Sequence, residues 1–147
     1  LGGVAQPSGG TRILLIEDNE ADIYLLSMAL ENAGFPYTLK TIRDGADARA
    51  FLNGVSDDST PELILIDLNL PRVDGTALID LLRSRPELQD IPVVLLSSSS
   101  SPRDAARAGE LKRSTFMLKP SDLTAFLDIG RRVREFIEQS NSRSANT

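Results

Sequence analysis

Five residues of this chain stand out by their type and by what precedes them. Glu17 and Asp18 follow the apolar run RILLI, Asp67 follows ELILI, Ser97 follows IPVVLL, and Lys119 follows TFML. If each run is a strand of one parallel sheet, all five residues converge on one edge. Three carboxylates brought together repel one another and are costly to hold ionised without a cation. Oxygen ligands from Asp18 and Asp67, with Glu17 acting directly or through water, suit Mg²⁺, which keeps several waters and takes few protein carboxylates. A site of this kind, completed by phosphate oxygens, points to phosphoryl chemistry. Asp67 is then the nucleophile that forms an acyl phosphate. The metal and Lys119 neutralise charge on the equatorial oxygens, and the Ser97 hydroxyl binds one of them.

Each residue alone has a plainer explanation. An acid pair before a helix more often caps it and meets its dipole. A strand-end Asp is usually a turn residue, Ser97 can belong to a loop feeding a helix, and Lys119-Pro120 can simply end a strand. The combination carries the functional reading.

The elements that must position these residues alternate along the chain. Strands are expected at residues 12–16, 37–42, 62–66, 91–96 and 115–118, three of them short unbroken apolar runs of the kind buried on both faces. Between them lie amphipathic stretches. The first covers residues 19–33, with Ile23, Leu26, Leu30 and Ala33 at helical spacing and Gly34 closing it. A second is capped by Asp44 and ends at Asn53-Gly54, and a third runs from Gly75 or Thr76 to Arg85, where Pro86 stops it. Ser101-Pro102 opens a short helix to about Gly109, and Ser121 caps a last one to about Gln139. Five βα units imply an α/β fold with a parallel sheet and helices on both faces. Sites in such sheets lie beyond the carboxyl ends of the strands.

Composition narrows the chemistry. The 147 residues suit one domain, expected at 11–139 between a flexible Gly-rich segment, 1–10, and a flexible polar tail, 140–147. With neither Cys nor His, the chain has no disulfide, no thiolate or imidazole zinc site and no Ser-His or Cys-His catalysis, and it cannot carry phosphate on histidine. No apolar run approaches the roughly 18 residues of a membrane span. The net charge of −5 is unpromising for nucleic acid, so neither nucleic acid nor membrane is an expected partner, and a cytoplasmic location is expected. Charge is unevenly spread: residues 1–100 carry 7 basic and 15 acidic groups, and residues 101–147 carry 9 and 6. Solvated helix faces account for this, as would one end of the domain docking on an oppositely charged partner.

Together the acidic pair in LLIEDN, the segment LILIDLNLPRVDG (Asp67, Pro71, Gly75), the hydroxyl in VVLLSSS and the segment FMLKP resemble the receiver domains of two-component response regulators. The likeness covers about residues 11–139, and the separations of thirty residues from Asp67 to Ser97 and fifty-two to Lys119 are similar to the family's. It implies a flavodoxin-like, doubly wound five-stranded sheet in the order 2-1-3-4-5. It also implies that Asp67 accepts phosphate from a histidine kinase and that the backbone carbonyl of Asn69 helps to hold Mg²⁺. Such a domain is a phosphoacceptor that assists its own phosphorylation and dephosphorylation, and no enzyme in the ordinary sense. The implied switch moves Ser97 toward the phosphate and turns Phe116 inward, although Phe116 alone reads as a plain core aromatic. A cis bond at Lys119-Pro120 is implied as well. LLIEDNEADIYLL and DLNLPRVDG look similar to stand-alone regulators paired with bacterial phytochromes. No further domain is expected after residue 139, and a receiver taken from a longer regulator or hybrid kinase is the alternative. Where the family usually has Gly-Ala before the fifth strand, this chain has Leu111-Lys112-Arg113-Ser114.

Other readings fit less well. An Asp-nucleophile phosphatase of the haloacid dehalogenase type wants a second carboxyl group two residues after the nucleophile, where this chain has Asn69. A flavin-binding domain wants a Gly-, Ser- and Thr-rich first loop, and Glu17-Asp18-Asn19-Glu20 would repel a phosphate. A degenerate receiver serving only as an interaction module conflicts with the intact Asp67, Asp18, Ser97 and Lys119. The fifth strand and last two helices, with Arg103, Arg107 and Arg113, are the expected output face, where a homodimer is plausible.

Overall fold

The computed structural model describes residues 10–56, 58–69, 75–99 and 102–145. Residues 1–9, Pro71 and Ser101, which figured in the sequence reading, lie outside them. Five strands, β1 (Thr11–Ile16), β2 (Tyr37–Ile42), β3 (Leu63–Asp67), β4 (Val93–Ser97) and β5 (Ser114–Leu118), pair in parallel in the order β2-β1-β3-β4-β5. This is the α/β arrangement expected.

The central strands are apolar except at their ends because both faces are covered. Successive side chains of a strand point to opposite faces. Leu14, Ile16, Ile64, Ile66, Val93 and Leu95 therefore enter one core, and Ile13, Leu15, Leu63, Leu65, Val94 and Leu96 enter the other. The first core is closed by α2 (Gly45–Asn53), α3 (Gly75–Ser84) and the short α4 (Pro86–Gln89) through Ala48, Leu52, Leu78, Ile79, Leu82 and Leu88. The second is closed by α1 (Glu20–Ala33), α6 (Leu123–Leu127) and α7 (Ile129–Ala145) through Leu26, Leu30, Phe126, Ile129, Val133 and Ile137. A helix α5 (Pro102–Arg107) and a 3-10 turn (Ala108–Glu110) lead into β5.

The caps behave as their chemistry predicts. Asn19 accepts a hydrogen bond from the Asp22 backbone N–H at 2.9 Å, and Asp44 does the same for Asp47 at 2.8 Å. Gly34 ends α1 at φ 76°, a left-handed conformation that glycine adopts without steric penalty.

Three local expectations need correction. Pro86 stops α3 but also starts α4: it forces Arg85 out of the helical region while its own φ suits a first helical position. The single last helix from Ser121 to about Gln139 is two helices. Asp122, not Ser121, is the cap, accepting from the Ala125 N–H at 2.9 Å, and α6 gives way to α7 at Asp128. α7 then passes Gln139, through residues expected in a flexible tail, and buries Ser140. With no Gly or Pro after Gly130, the chain carries no local stop signal there. Lastly, Lys119–Pro120 is trans, where the resemblance implied cis. Trans is favoured by only about 0.5–1 kcal/mol before proline, so residue type does not choose the isomer.

Candidate functional site

Two ladder hydrogen bonds extend the sheet just past its strands. The Glu17 N–H donates to the Ile42 carbonyl at 3.0 Å, and the Lys119 N–H to the Ser97 carbonyl at 2.7 Å. Strand alternation therefore still governs these residues. Glu17 follows Ile13 and Leu15, Asp67 follows Leu63 and Leu65, and Lys119 follows Met117, so all three side chains leave the sheet on the face that α1 covers. Ser97 follows Val93 and Leu95 and leaves on the opposite face.

The result is a buried ion cluster. The Lys119 side chain is 7% exposed, and its Nζ lies 2.7 Å from Glu17 Oε2, 2.8 Å from Asp22 Oδ2 and 3.2 Å from Asp67 Oδ2. Glu17 is fully buried and Asp67 is 4% exposed. The other oxygen of each is held by backbone: Glu17 Oε1 accepts from the Asp18 and Asn19 N–H groups, both at 3.1 Å, and Asp67 Oδ1 from the Asn69 N–H at 2.9 Å. Asp18 completes the acidic group. One oxygen from each of Glu17, Asp18 and Asp67 lies within 4.8 Å of the others.

The electrostatics follow from this crowding. Burial pushes the Glu17 carboxyl up to about 7, further helped by the neighbouring Asp67, while the hydrogen bond from Lys119 pulls the other way. For Lys119, burial favours the neutral amine. Hydrogen bonds to Asp22 and Glu17, with the charges of Asp67 and Glu17, outweigh it and hold the ammonium above its ordinary range. Three carboxylates around one ammonium leave an excess of negative charge, and the converging oxygens of Glu17, Asp18 and Asp67 are the hard donors that Mg²⁺ or Mn²⁺ takes.

Ser97, also fully buried, joins the site from the other face. Its hydroxyl donates to Asn69 Oδ1 at 3.0 Å and accepts from the Ser99 N–H at 3.1 Å. Asn69 Oδ1 also receives the Ser98 N–H at 3.1 Å. Phe116 is half-buried against the core on Ser97's side of the sheet, paired in register with Leu95, two residues before Ser97. Arg103 and Arg107 lie on α5, and Arg113 immediately precedes β5.

The structure thus brings Glu17, Asp18, Asp67 and Lys119 together, and places Ser97 beside them through Asn69. Two participants were not anticipated. Asp22 reads in the sequence as an ordinary acid in the first turn of a helix, and only the packing of α1 over Lys119 gives it a second role. The Asn69 side chain, as distinct from its backbone carbonyl, also went unforeseen, because a hydrogen bond spanning 28 residues leaves no local pattern.

A parallel sheet in this order with acids at β1 and β3, a hydroxyl at β4 and a lysine at β5 defines a phosphorelay receiver. The chain belongs to that family: residues 13–130 match the response regulator receiver domain, which mediates phosphorelay signalling. Among its relatives is the response regulator Rcp1 of Synechocystis sp., 35% identical over 84% of this chain and 86% of that protein. The Mn²⁺-bound form of Rcp1 has a similar structure, with a TM-score of 0.75, covering 86% of this chain and 93% of that one. The phosphorylated cyanobacterial phytochrome response regulator RcpA aligns with a TM-score of 0.77 at 37% identity, covering 87% of this chain and 94% of that one. The probable methanogenesis regulatory protein FilR2 of Methanothrix harundinacea is 36% identical over 86% of this chain and 81% of that protein. Among the described residues, no helix is long and apolar enough to cross a membrane.

Proposed function

We propose that Asp67 is the phosphoryl acceptor of this receiver domain, taking the group from a phosphohistidine of a sensor histidine kinase. The observation that carries this is the position of Asp67. Its carboxylate is nearly buried, with one oxygen fixed by the Asn69 N–H and the other 3.2 Å from the Lys119 ammonium. An Asp67 oxygen forms the new O–P bond as the donor's P–N bond breaks, and the product is an acyl phosphate. Lys119 is placed to meet the charge on the phosphoryl oxygens, and burial makes that interaction stronger than it would be in water. Glu17, Asp18 and Asp67, with the Asn69 carbonyl, would hold Mg²⁺, and the Mn²⁺-bound form of Rcp1 supports a divalent ion here. When bound, the ion supplies charge neutralisation to the transferring phosphoryl group.

The readout follows from the Ser97 side. To reach the phosphoryl group, the Ser97 hydroxyl must leave Asn69 Oδ1. Phe116 shares its face of the sheet two register positions away and is only half-buried, so an inward turn would bury more of it. The phosphate is therefore a signal held for a partner. A phytochrome-type kinase is the upstream partner favoured by the likeness to RcpA. The output face is proposed at α5, β5 and the α6–α7 stretch, with Arg103, Arg107 and Arg113 giving it charge, where a homodimer would form. Static light scattering with and without beryllofluoride tests the dimer, and a monomer in both states at high concentration would exclude it.

The acceptor is tested by incubating the protein with Mg²⁺ and acetyl phosphate and measuring intact mass. One added phosphoryl group, absent in Asp67→Asn, is expected. An adduct that persists in Asp67→Asn would overturn the assignment.

A further inference from the structure

Three carboxylates surround the Lys119 ammonium, and they are not equivalent. Glu17 and Asp67 belong to the acidic group whose oxygens converge within 4.8 Å, the group suited to a divalent cation; Asp22 does not. A cation entering that group would compete with Lys119 for Glu17 and Asp67. It would leave Asp22 untouched.

Asp22 is also fixed from below. It occupies the first turn of α1, and its backbone N–H is held by the Asn19 cap at 2.9 Å. Its Oδ2 lies 2.8 Å from Lys119 Nζ across 97 residues of sequence, and its side chain is 27% exposed, where Glu17 is fully buried. An ammonium has three donor hydrogens; Glu17 and Asp22 accept two of them, and Asp67 is an ion-pair contact at 3.2 Å without a hydrogen bond. If phosphoryl oxygens are to take the donor facing Asp67, some other contact must keep Lys119 in place during the exchange.

We propose that Asp22 is the positioning residue for Lys119: it anchors the ammonium over Asp67 while the Glu17 and Asp67 contacts are given up to the cation and the phosphoryl group. This inference rests on the reading of Asp67 as acceptor, and it predicts a division of labour among the carboxylates. Asp22 sets where the ammonium stands and contributes little to holding the cation.

The first test does not require phosphorylation. The chain has three lysines, Lys40, Lys112 and Lys119, so the ¹⁵N ammonium signal of Lys119 can be assigned with Lys40→Arg and Lys112→Arg variants. A slowly exchanging Lys119 signal is expected in the parent protein, with and without Mg²⁺. In Mg²⁺-loaded Asp22→Asn it should broaden into exchange with solvent. In Asp22→Glu it should be at least partly restored. The second test is the initial rate of phosphorylation by acetyl phosphate at saturating Mg²⁺. Asp22→Asn should be slower by about tenfold to a hundredfold, the upper figure being the cost of a misplacement of about 1 Å. Its Mg²⁺ affinity, from titration calorimetry, should stay within about threefold of the parent, as for a charge outside the coordination sphere. An unchanged Lys119 signal in Mg²⁺-loaded Asp22→Asn overturns the anchor, whatever the phosphorylation results. If the parent phosphorylates at Asp67 and Asp22→Asn matches its rate, the anchor fails and the Asp67 reading stands. If the parent takes no phosphate while Lys119 responds as expected, the acceptor reading is what fails.

Discussion

Gly130 of α7 and Ala29 of α1 meet backbone to backbone. A methyl group on Gly130 would sit 1.8 Å from the Ala29 carbonyl oxygen and 2.4 Å from its carbonyl carbon. These are backbone atoms inside a helix and cannot turn aside as a flexible side chain would. Gly130→Ala should therefore force α7 away from α1, despite the better helix propensity of alanine. Overpacking of this kind costs about 1–3 kcal/mol or more. Urea unfolding should show a lower midpoint for Gly130→Ala, with Gly109→Ala, where nothing lies within 4 Å, as a control that stays near the parent. Equal midpoints for the two variants would mean that the α1–α7 crossing adjusts freely.

Much of the fold was legible because its signals are local. Unbroken apolar runs marked the strands, and Asn19, Asp44 and Gly34 marked helix ends, the first two through side-chain hydrogen bonds and Gly34 through a backbone angle that its missing side chain permits. Asp67, Asp18, Glu17 and Lys119 could be grouped because a parallel sheet brings its strand ends to one edge. What was missed has no local signal. The break at Asp128 has no Gly or Pro to mark it, and Asp22 acquires its partner 97 residues away. The isomer at Pro120 is a choice between states of nearly equal intrinsic energy, which residue type alone does not make.

Among the described residues, Lys119 is the cation paired with Glu17, Asp22 and Asp67, all within 3.2 Å. Lys119→Ala should consequently harm the metal-free fold as well as phosphorylation. Removing one partner from a buried ion pair typically costs about 3–5 kcal/mol, because the remaining charge is stranded. The expected result near neutral pH is a clear loss of stability without metal, much of it recovered on adding Mg²⁺. Differential scanning calorimetry with EDTA and with Mg²⁺ reads both. A variant as stable as the parent in EDTA would show that the carboxylates shed their charge at little cost.

On the proposed reading, Ser97 is needed to transmit the signal and not to accept it. Its hydroxyl bonds to Asn69 Oδ1 and does not contribute to the acidic group around Asp67. Ser97→Ala should still acquire one phosphoryl group from acetyl phosphate. It should lose most of the change that beryllofluoride produces in amide exchange at β5, the strand carrying Phe116. Asn69→Ala, which removes the acceptor that holds Ser97, should shift the unphosphorylated protein part of the way toward the activated pattern. If Ser97→Ala responds to beryllofluoride as fully as the parent, the hydroxyl is a bystander.

Glu17 makes the stability of the metal-free domain depend on pH in an unusual direction. In the folded protein its carboxyl is pushed up to about 7, mainly by burial, whereas its ordinary value is 4.5. Between those values the folded state binds more protons than the unfolded state, so raising the pH destabilises the fold through this group. The contribution is fully present below the unfolded value and is lost as pH rises through the folded one. A divalent cation needs the ionised carboxylate, so Mg²⁺ binding should strengthen across the same window. In EDTA, the thermal midpoint of the parent should fall relative to that of Glu17→Gln between about pH 5 and pH 8. In Mg²⁺ the parent should regain the difference, and increasingly so at the higher pH. A gap between parent and Glu17→Gln that stays constant with pH in EDTA would show that Glu17 is ionised throughout, with Lys119 alone compensating its charge.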